Sequence, residues 1–370
     1  MSPAAAAPPP AQKAAHIPDS ILVYVGLDLL GDGLMKLSFL RALRAAYPRA
    51  RITWLAGKGK TVFNGSLKPL TDGLIDEIIE EAGIGNRPSE LLRRPLRGRG
   101  FDLIIDTQRR FITSAILRRI AHQRFISDCA GGCFSSCKGG GARPSRLPDQ
   151  LLRLVSLARY GHPDAWLEKV DLPAPPTHHT VTACRLLPQG PRYLALAPGA
   201  GGRHKCWPLE RFIALGQALQ AKGWQPVVLL GPQEKEWHDG LRAALPQVLL
   251  PLSGPAAPDA NPLLTLALAQ RCQVAVANDA GIGHLLAAAE RPLISLFGPT
   301  PPAKFAPETP RLTVLRAQDF PCGAGQDNSA MTNIPLDAVI QAVRDVRTEM
   351  AITGGLERSG YAPTANGLPE

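Results

Sequence analysis

The sequence predicts an α/β protein made of two doubly wound domains. Three observations carry this expectation. Short apolar runs, among them Ile21–Val25, Tyr193–Ala197 and Val274–Ala277, read as strands buried on both faces. Segments with apolar residues at helical spacing alternate with those strands in both halves of the chain. A proline-rich stretch without a clear period, residues 161–191, separates the halves. A chain of 370 residues suits two domains better than one.

The first half begins with residues 1–20, rich in Ala and Pro. They lack the charged start and Leu-rich core of a signal peptide, so a disordered leader is expected. After the strand Ile21–Val25, LLGDGLMKLSFLRALRAAYP predicts a turn and a helix from about Leu34 to Tyr47. Leu37, Leu40 and Leu43 recur every three residues, and Pro48 follows the stop. Arg51–Ala56 and residues 75–79 are further strands. Gly59-Lys60-Thr61 is not a P-loop, because the required earlier glycine is missing and no helix pattern follows. No GxGxxG follows a strand either, which argues against a nicotinamide enzyme.

Residues 87–124 carry ten Arg against Glu90, Asp102 and Asp106. Inside that run Leu103–Ile105 is strand-like. The run reads either as a solvated surface or as a contact for an anionic partner. Cys129, Cys133 and Cys137 are spaced x3, x3 in a Gly-rich loop. Metal sites more often use C-x2-C pairs with a fourth ligand, so flexible loop thiols are the plainer reading and no metal is expected. Gln150–Tyr160 is helical.

The second half restarts the α/β rhythm. Tyr193–Ala197 is a strand, followed by a Gly-rich loop and a helix with Pro208 at its first position. Pro226–Leu230 is a strand, then a helix runs over about 233–245. A strand over 248–252 and a helix over 262–271 precede the stretch Val274 to Pro307, which reads as strand, turn, helix, strand and loop. Asn278 and Asp279 end the strand and are placed to cap the next helix. Gly281 and Gly283 let the backbone approach a ligand. Helix N-termini favour phosphate, and His284, one turn in, adds a donor. Leu293–Phe297 is the next strand, Leu312–Leu315 another. Leu336–Arg347 is a helix and the polar tail from about 353 is expected to be disordered.

The net charge of +10 suits an anionic partner: nucleotide, membrane surface or nucleic acid. Seven Cys in a chain this large favour a reducing compartment. No apolar run approaches the roughly 18 residues needed to span a bilayer.

Asn278-Asp279-Ala280-Gly281-Ile282-Gly283-His284-Leu285, followed by Phe297-Gly298-Pro299-Thr300, resembles the nucleotide-sugar signature of glycosyltransferase family nine. These are the ADP-heptose:lipopolysaccharide heptosyltransferases and their relatives. The family usually has Ser or Thr where this chain has Ala280. The resemblance covers most of residues 21–347 and implies GT-B architecture, two Rossmann-like domains with a cleft between them. The implied boundaries are an acceptor-side domain over 21–165, a linker over 166–191 and a nucleotide-sugar domain over 192–335. A C-terminal helix over 336–350 crosses back, and 351–370 is tail.

Residue by residue, Lys205 in Arg203-His204-Lys205-Cys206-Trp207-Pro208 is similar to the family's diphosphate lysine, with Arg203 as an assistant. Ala200 and Gly201 offer backbone donors. Glu234, after Leu230-Gly231-Pro232, matches an acid near the nucleoside, and its bland alternative is a helix-start Glu. Asp279, Ala280, Gly281 and His284 complete the implied donor site. Leu30-Gly31-Asp32-Gly33-Leu34 resembles the G-D-x-L element whose Asp is the base, so Asp32 is the implied catalytic residue; its bland alternative is an N-cap. The family usually has Pro where this chain has Ser38. No DxD triplet is present, and neither metal nor other cofactor is expected.

The first expectation is therefore an inverting transferase moving heptose, or a related sugar, from an ADP-activated donor to lipopolysaccharide core or lipid A. It would be cytoplasmic and peripheral on the anionic inner face of the inner membrane. Another GT-B enzyme, such as a nucleotide-sugar epimerase, remains an alternative, as does a catalytically dead relative. A nucleic-acid-binding protein is the alternative of a different class, but the basic residues are not interleaved with aromatics and no nucleic-acid motif is present.

Overall fold

The computed structural model describes residues 17–346 except 86, 93, 164–174, 254–260, 308, 310, 324 and 326. The expected leader and tail lie outside the described residues, as does part of the expected linker. The chain divides into two compact units near residue 175, except that Ala303–Phe305 group with the first. The α/β class and the doubly wound, Rossmann-like form expected for each half are both observed.

In the first unit the strands are β1 (Ser20–Val25), β2 (Arg51–Ala56), β3 (Glu77–Ile79), β4 (Gly100–Asp106) and β5 (Ala121–Ser127). They form one parallel sheet in the order β3-β2-β1-β4-β5. The helices are α1 (Leu30–Ala46), the single turn α2 (Lys68–Thr71), α3 (Phe111–Leu117) and α4 (Leu147–Tyr160). Leu37, Leu40 and Leu43 of α1 are buried, as their spacing predicts.

Helix α1 starts at Leu30, a turn earlier than expected. Packing decides this against the weak helix propensity of Gly31 and Gly33. A Cβ on Gly33 would meet Val62 Cγ2 at 2.5 Å, so only glycine lets the first turn sit against residues 62–67. Helix α3 lies inside the arginine-rich run and β5 begins in it, where the sequence suggested one strand. In β5 the apolar alternation is weak because its first four residues, Ala121 to Arg124, are exposed or half-buried at the sheet edge.

The second unit opens with α5 (Thr177–Leu186), a helix inside the stretch read as linker. Its Ala183, with Leu187 beyond its end, is buried in the unit's core, so tertiary packing overrides a locally polar sequence. Then come β6 (Arg192–Ala197), α6 (Leu209–Gln220), β7 (Trp224–Val228), α7 (His238–Ala244), α8 (Pro262–Arg271) and β8 (Val274–Asn278). The chain ends with α9 (Gly281–Ala288), β9 (Leu293–Phe297), the turn α10 (Pro302–Phe305), β10 (Leu312–Arg316) and α11, residues 336–346. The parallel sheet runs β10-β9-β8-β6-β7.

Its two faces differ in side-chain size. Leu194, Leu196, Val274 and Val276 share one face with Phe212, Leu215 and Val343 of α6 and α11. Ala195, Ala197, Ala275 and Ala277 share the other with Leu264, Leu268 and Leu286 of α8 and α9. Period-two alternation sends the two sets to opposite faces. The alanine face lets α8 and α9 come close.

Three local expectations need correction. Residues 248–252 are not a strand: only Leu249 bridges Val227, and Pro251 has no N–H to extend the ladder. Residues 233–237 belong to a 3-10 stretch, Pro232–Trp237, with α7 following it. Pro208 is the N-cap of α6 rather than its first helical residue. Among the described residues no helix is long and apolar enough to cross a membrane.

Candidate functional site

In the second sheet the strand order reverses between β6 and β8, which are neighbours with their partners wound outward on either side. Ligands of doubly wound sheets sit above the carboxyl ends at such a point. The loop that leaves β6 and the turn that leaves β8 therefore frame the candidate site.

Asn278, fully buried at the end of β8, ties the two together. Its Oδ1 accepts from the Trp207 backbone N–H at 3.0 Å, and its Nδ2 donates to Pro198 O at 2.7 Å. Trp207 is itself fully buried, with Nε1 donating to Ile334 O at 2.9 Å and its ring edge-on to Phe212 at 5.0 Å. With Trp207 pinned, Lys205 two residues earlier reaches Asp279, Nζ to Oδ2 at 3.5 Å. Thr300, on the loop after β9, also donates to Asp279 Oδ2.

This overturns the capping expectation. Neither Asn278 nor Asp279 caps α9; the N-cap is Ala280, with no side-chain bond to the first turn. The first-turn amides of α9 thus have no side-chain cap, a few residues from a lysine ammonium held by Asp279. His284 lies half-buried on the fourth residue of α9.

Glu234 sits over the glycines of two loops. A Cβ on Gly199 would meet its Oε1 at 2.6 Å, and one on Gly231 its Oε2 at 2.7 Å. Gly199 precedes Ala200 and Gly201, and a Cβ on Gly201 would meet nothing within 4 Å, so that loop segment is open. Burial pushes the Cys206 thiol up, opposed by a hydrogen bond from Ala200. Arg203 is turned to Glu236 and the Trp237 ring, 5.2 Å from its centroid, rather than to Asp279. The structure thus gathers Ala200, Lys205, Glu234, Asp279, Ala280 and Gly281 on the loops at the carboxyl edge of one sheet. Asn278, Trp207 and Thr300 hold that arrangement; the sequence named Trp207 and Thr300 only as parts of motifs and read Asn278 as a helix cap.

Asp32 belongs to the first unit. It is the third residue of α1, in its first turn, and half-buried. The N-cap is Leu29, so Asp32 is not the N-cap that the bland alternative required. Its carboxylate makes no hydrogen bond or ion pair with the described residues.

Two buried carboxylates of this unit were not anticipated. Asp28, one residue before the N-cap of α1, pairs with Lys36 and accepts from Trp54 Nε1 at 2.9 Å and Thr61 Oγ1 at 3.0 Å. Asp106 ends β4, accepting from Ser114 and Ser127 hydroxyls and from the Gln108 N–H at 2.8 Å. Burial raises its pKa to about 6, against those hydrogen bonds. An acid directly after the apolar run Leu103–Ile105 is the signal that finds it.

Cys129, Cys133 and Cys137 are free thiols. Among the described residues no three His, Cys, Asp or Glu side chains are grouped to hold a metal ion.

Residues 90–333 match Glycosyltransferase family 9 (heptosyltransferase). Lipooligosaccharide heptosyltransferase 2 of Haemophilus influenzae is 31% identical over 124 residues, 33% of this chain and 36% of that protein. Lipopolysaccharide heptosyltransferase 1 of Pseudomonas aeruginosa is 34% identical over 140 residues, 36% of each chain. The chain spans between about a third and a half of the length of the curated relatives it matches. The solved glycosyl transferase family 9 protein of Veillonella parvula shares the fold, with TM-score 0.65 and 20% identity over 90% of this chain and 98% of that one. E. coli ADP-heptose lps heptosyltransferase II aligns with TM-score 0.62 and 21% identity over 90% and 99%. With the family matching some two thirds of its length, and with GT-B structures sharing its fold, the chain belongs to glycosyltransferase family 9.

Proposed function

We propose that the protein is an inverting glycosyltransferase that moves a heptose from an ADP-activated donor to a lipopolysaccharide core or lipid A acceptor. The observation that carries the reading is the Lys205–Asp279 pair beside the uncapped start of α9, at the switch point of the second sheet. Curated heptosyltransferases among its relatives, and family members solved with ADP and an ADP-heptose analogue, supply the choice of donor.

In this reading the diphosphate lies over the α9 amides and Lys205. Charge grows on it as the glycosidic bond breaks, and fixed donors in a partly dry site stabilise that charge. His284 adds a donor, and Ala200, Ala280 and Gly281 offer backbone contacts. Asp279 is an anion and is unsuited to touch phosphate; it orients Lys205 and Thr300 and is open to a sugar hydroxyl. Glu234 takes a ribose hydroxyl. Asp32, carried by the first unit, accepts the proton of the attacking acceptor hydroxyl. Attack on the anomeric carbon, with departure of ADP from the other face, inverts the configuration.

The reading places the protein in the cytoplasm, peripheral on the anionic inner face of the inner membrane. Its net charge of +10 supports such a surface. The test is transfer from ADP-heptose to heptose-deficient lipopolysaccharide. Wild-type protein forms product and Asp32→Asn is slower by about 100-fold or more, the range for loss of a general base. Absence of product with any heptose-deficient acceptor, from protein that binds ADP, would contradict the transfer reading.

A further inference from the structure

The arginines of residues 87–124 are not spread evenly over the first unit. Arg94, Arg97, Arg99, Arg118 and Arg119, with His122, line one cavity of about 780 Å3. Its lining also contains Gly100 and Ala121, the paired first residues of β4 and β5. The cavity is therefore at the amino edge of the sheet. The seven residues of β4 separate that edge from Asp106 by roughly 20 Å at strand rise. No residue assigned above to donor binding or catalysis lines it.

Its wall is built rather than loose. Arg99 makes a two-pronged pair with Glu77, at 2.8 and 2.6 Å, and lies over the Phe101 ring. Arg118 donates to Phe134 O at 3.0 Å. Leu96 packs against the core cluster and holds a left-handed backbone, φ +50°, which is uncommon for a leucine. That turn carries Arg94 and Arg97 on either side of it, both exposed, and neither forms an ion pair among the described residues.

The geometry points to a second anion site: this cavity binds a phosphate monoester or diphosphate group, with Arg94 and Arg97 as its primary ligands. Guanidinium forks match phosphate oxygens in pairs, and two of them without acidic partners leave a standing excess of positive charge. The volume lies in the range of small-molecule sites, so the phosphate is carried by a soluble compound or by a lipid headgroup. The site stands whether or not the transferase reading holds, because it uses none of the same residues.

The test uses the full chain as Lys205→Ala, so that the candidate donor site does not compete. Inorganic pyrophosphate is titrated by calorimetry, and phosphatidic acid vesicles are compared with phosphatidylcholine vesicles by co-sedimentation. Arg94→Ala with Arg97→Ala is added, and unchanged thermal unfolding confirms that the exposed substitutions leave the fold intact. The expected result is a loss of tenfold or more in affinity for at least one probe. Loss for pyrophosphate identifies a soluble ligand, and loss for phosphatidic acid alone identifies a headgroup. Binding of both probes unchanged by the double substitution, or no binding of either before it, overturns the proposal.

Discussion

Asn278 holds Trp207 by the backbone, Oδ1 to N at 3.0 Å, and so fixes where Lys205 and Asp279 meet. Each residue of the ion pair is one or two positions from a partner in that hydrogen bond. The polar geometry of the site thus depends on a side chain that is fully buried.

Asn278→Ala leaves the Trp207 N–H and the Pro198 carbonyl buried without partners. A loss of about 2–6 kcal/mol in folding stability is expected, from about 1–3 kcal/mol for each of the two stranded groups. Asn278→Asp keeps the acceptor for Trp207 and loses the donor to Pro198. Urea unfolding of the two variants checks this, and equal stability of Asn278→Ala and wild type would remove Asn278 from the account.

Lys36 and Asp28 form a buried ion pair beside the start of α1, with Trp54 and Thr61 completing the shell of Asp28. Lys36→Met removes one partner and leaves a buried carboxylate. The expected cost is about 3–5 kcal/mol. Restoration of most of the loss by a second change, Asp28→Asn, would mark the stranded charge as the cause.

Asp106 carries a linkage with a definite sign. Burial raises its pKa in the folded state to about 6, from an ordinary 3.8. Between those values the folded protein binds more protons than the unfolded chain, so this group's contribution falls as pH rises from 3.8 to 6 and is flat above. Unfolding free energies of wild type and Asp106→Asn across pH 3.5–7 isolate it. Wild type should lose on the order of 2–3 kcal/mol relative to the variant on going up through that window.

Glu77 runs the other way. Hydrogen bonds from Arg99 hold its carboxyl down to about 2, from an ordinary 4.5. Its contribution is present above 4.5 and is lost as pH falls toward 2. Because Glu77 is only half-buried and Arg99 keeps 37% of its side chain exposed, solvent screens the pair, and Arg99→Gln is expected to cost under about 1 kcal/mol at pH 7, measured by urea unfolding, and little near pH 2.

Much of the second unit is legible in the sequence because its strands alternate Leu or Val with Ala over an apolar core. Tyr193–Ala197 and Val274–Ala277 need no context to be read as buried strands. The site residues near the ends of β6, β8 and β9 follow from motif resemblance and fall together in space. What the sequence hid were long-range choices. Asn278 has the chemistry of a helix cap, but a backbone N–H 71 positions away takes its side chain. Asp32 looks like a turn residue until the packing of Gly33 against Val62 extends the helix over it. Helix α5 is locally polar and is read only from the core that receives Ala183 and Leu187.

The central claim is that Lys205 and the start of α9 hold the donor's diphosphate. Calorimetric titration of ADP into wild type and Lys205→Ala tests it most directly. The account predicts binding by wild type and a weakening of about 1–3 kcal/mol in the variant, the range for a charge-assisted hydrogen bond. His284→Ala should weaken binding less, because the helix amides remain. Unchanged ADP affinity in folded Lys205→Ala would contradict the claim.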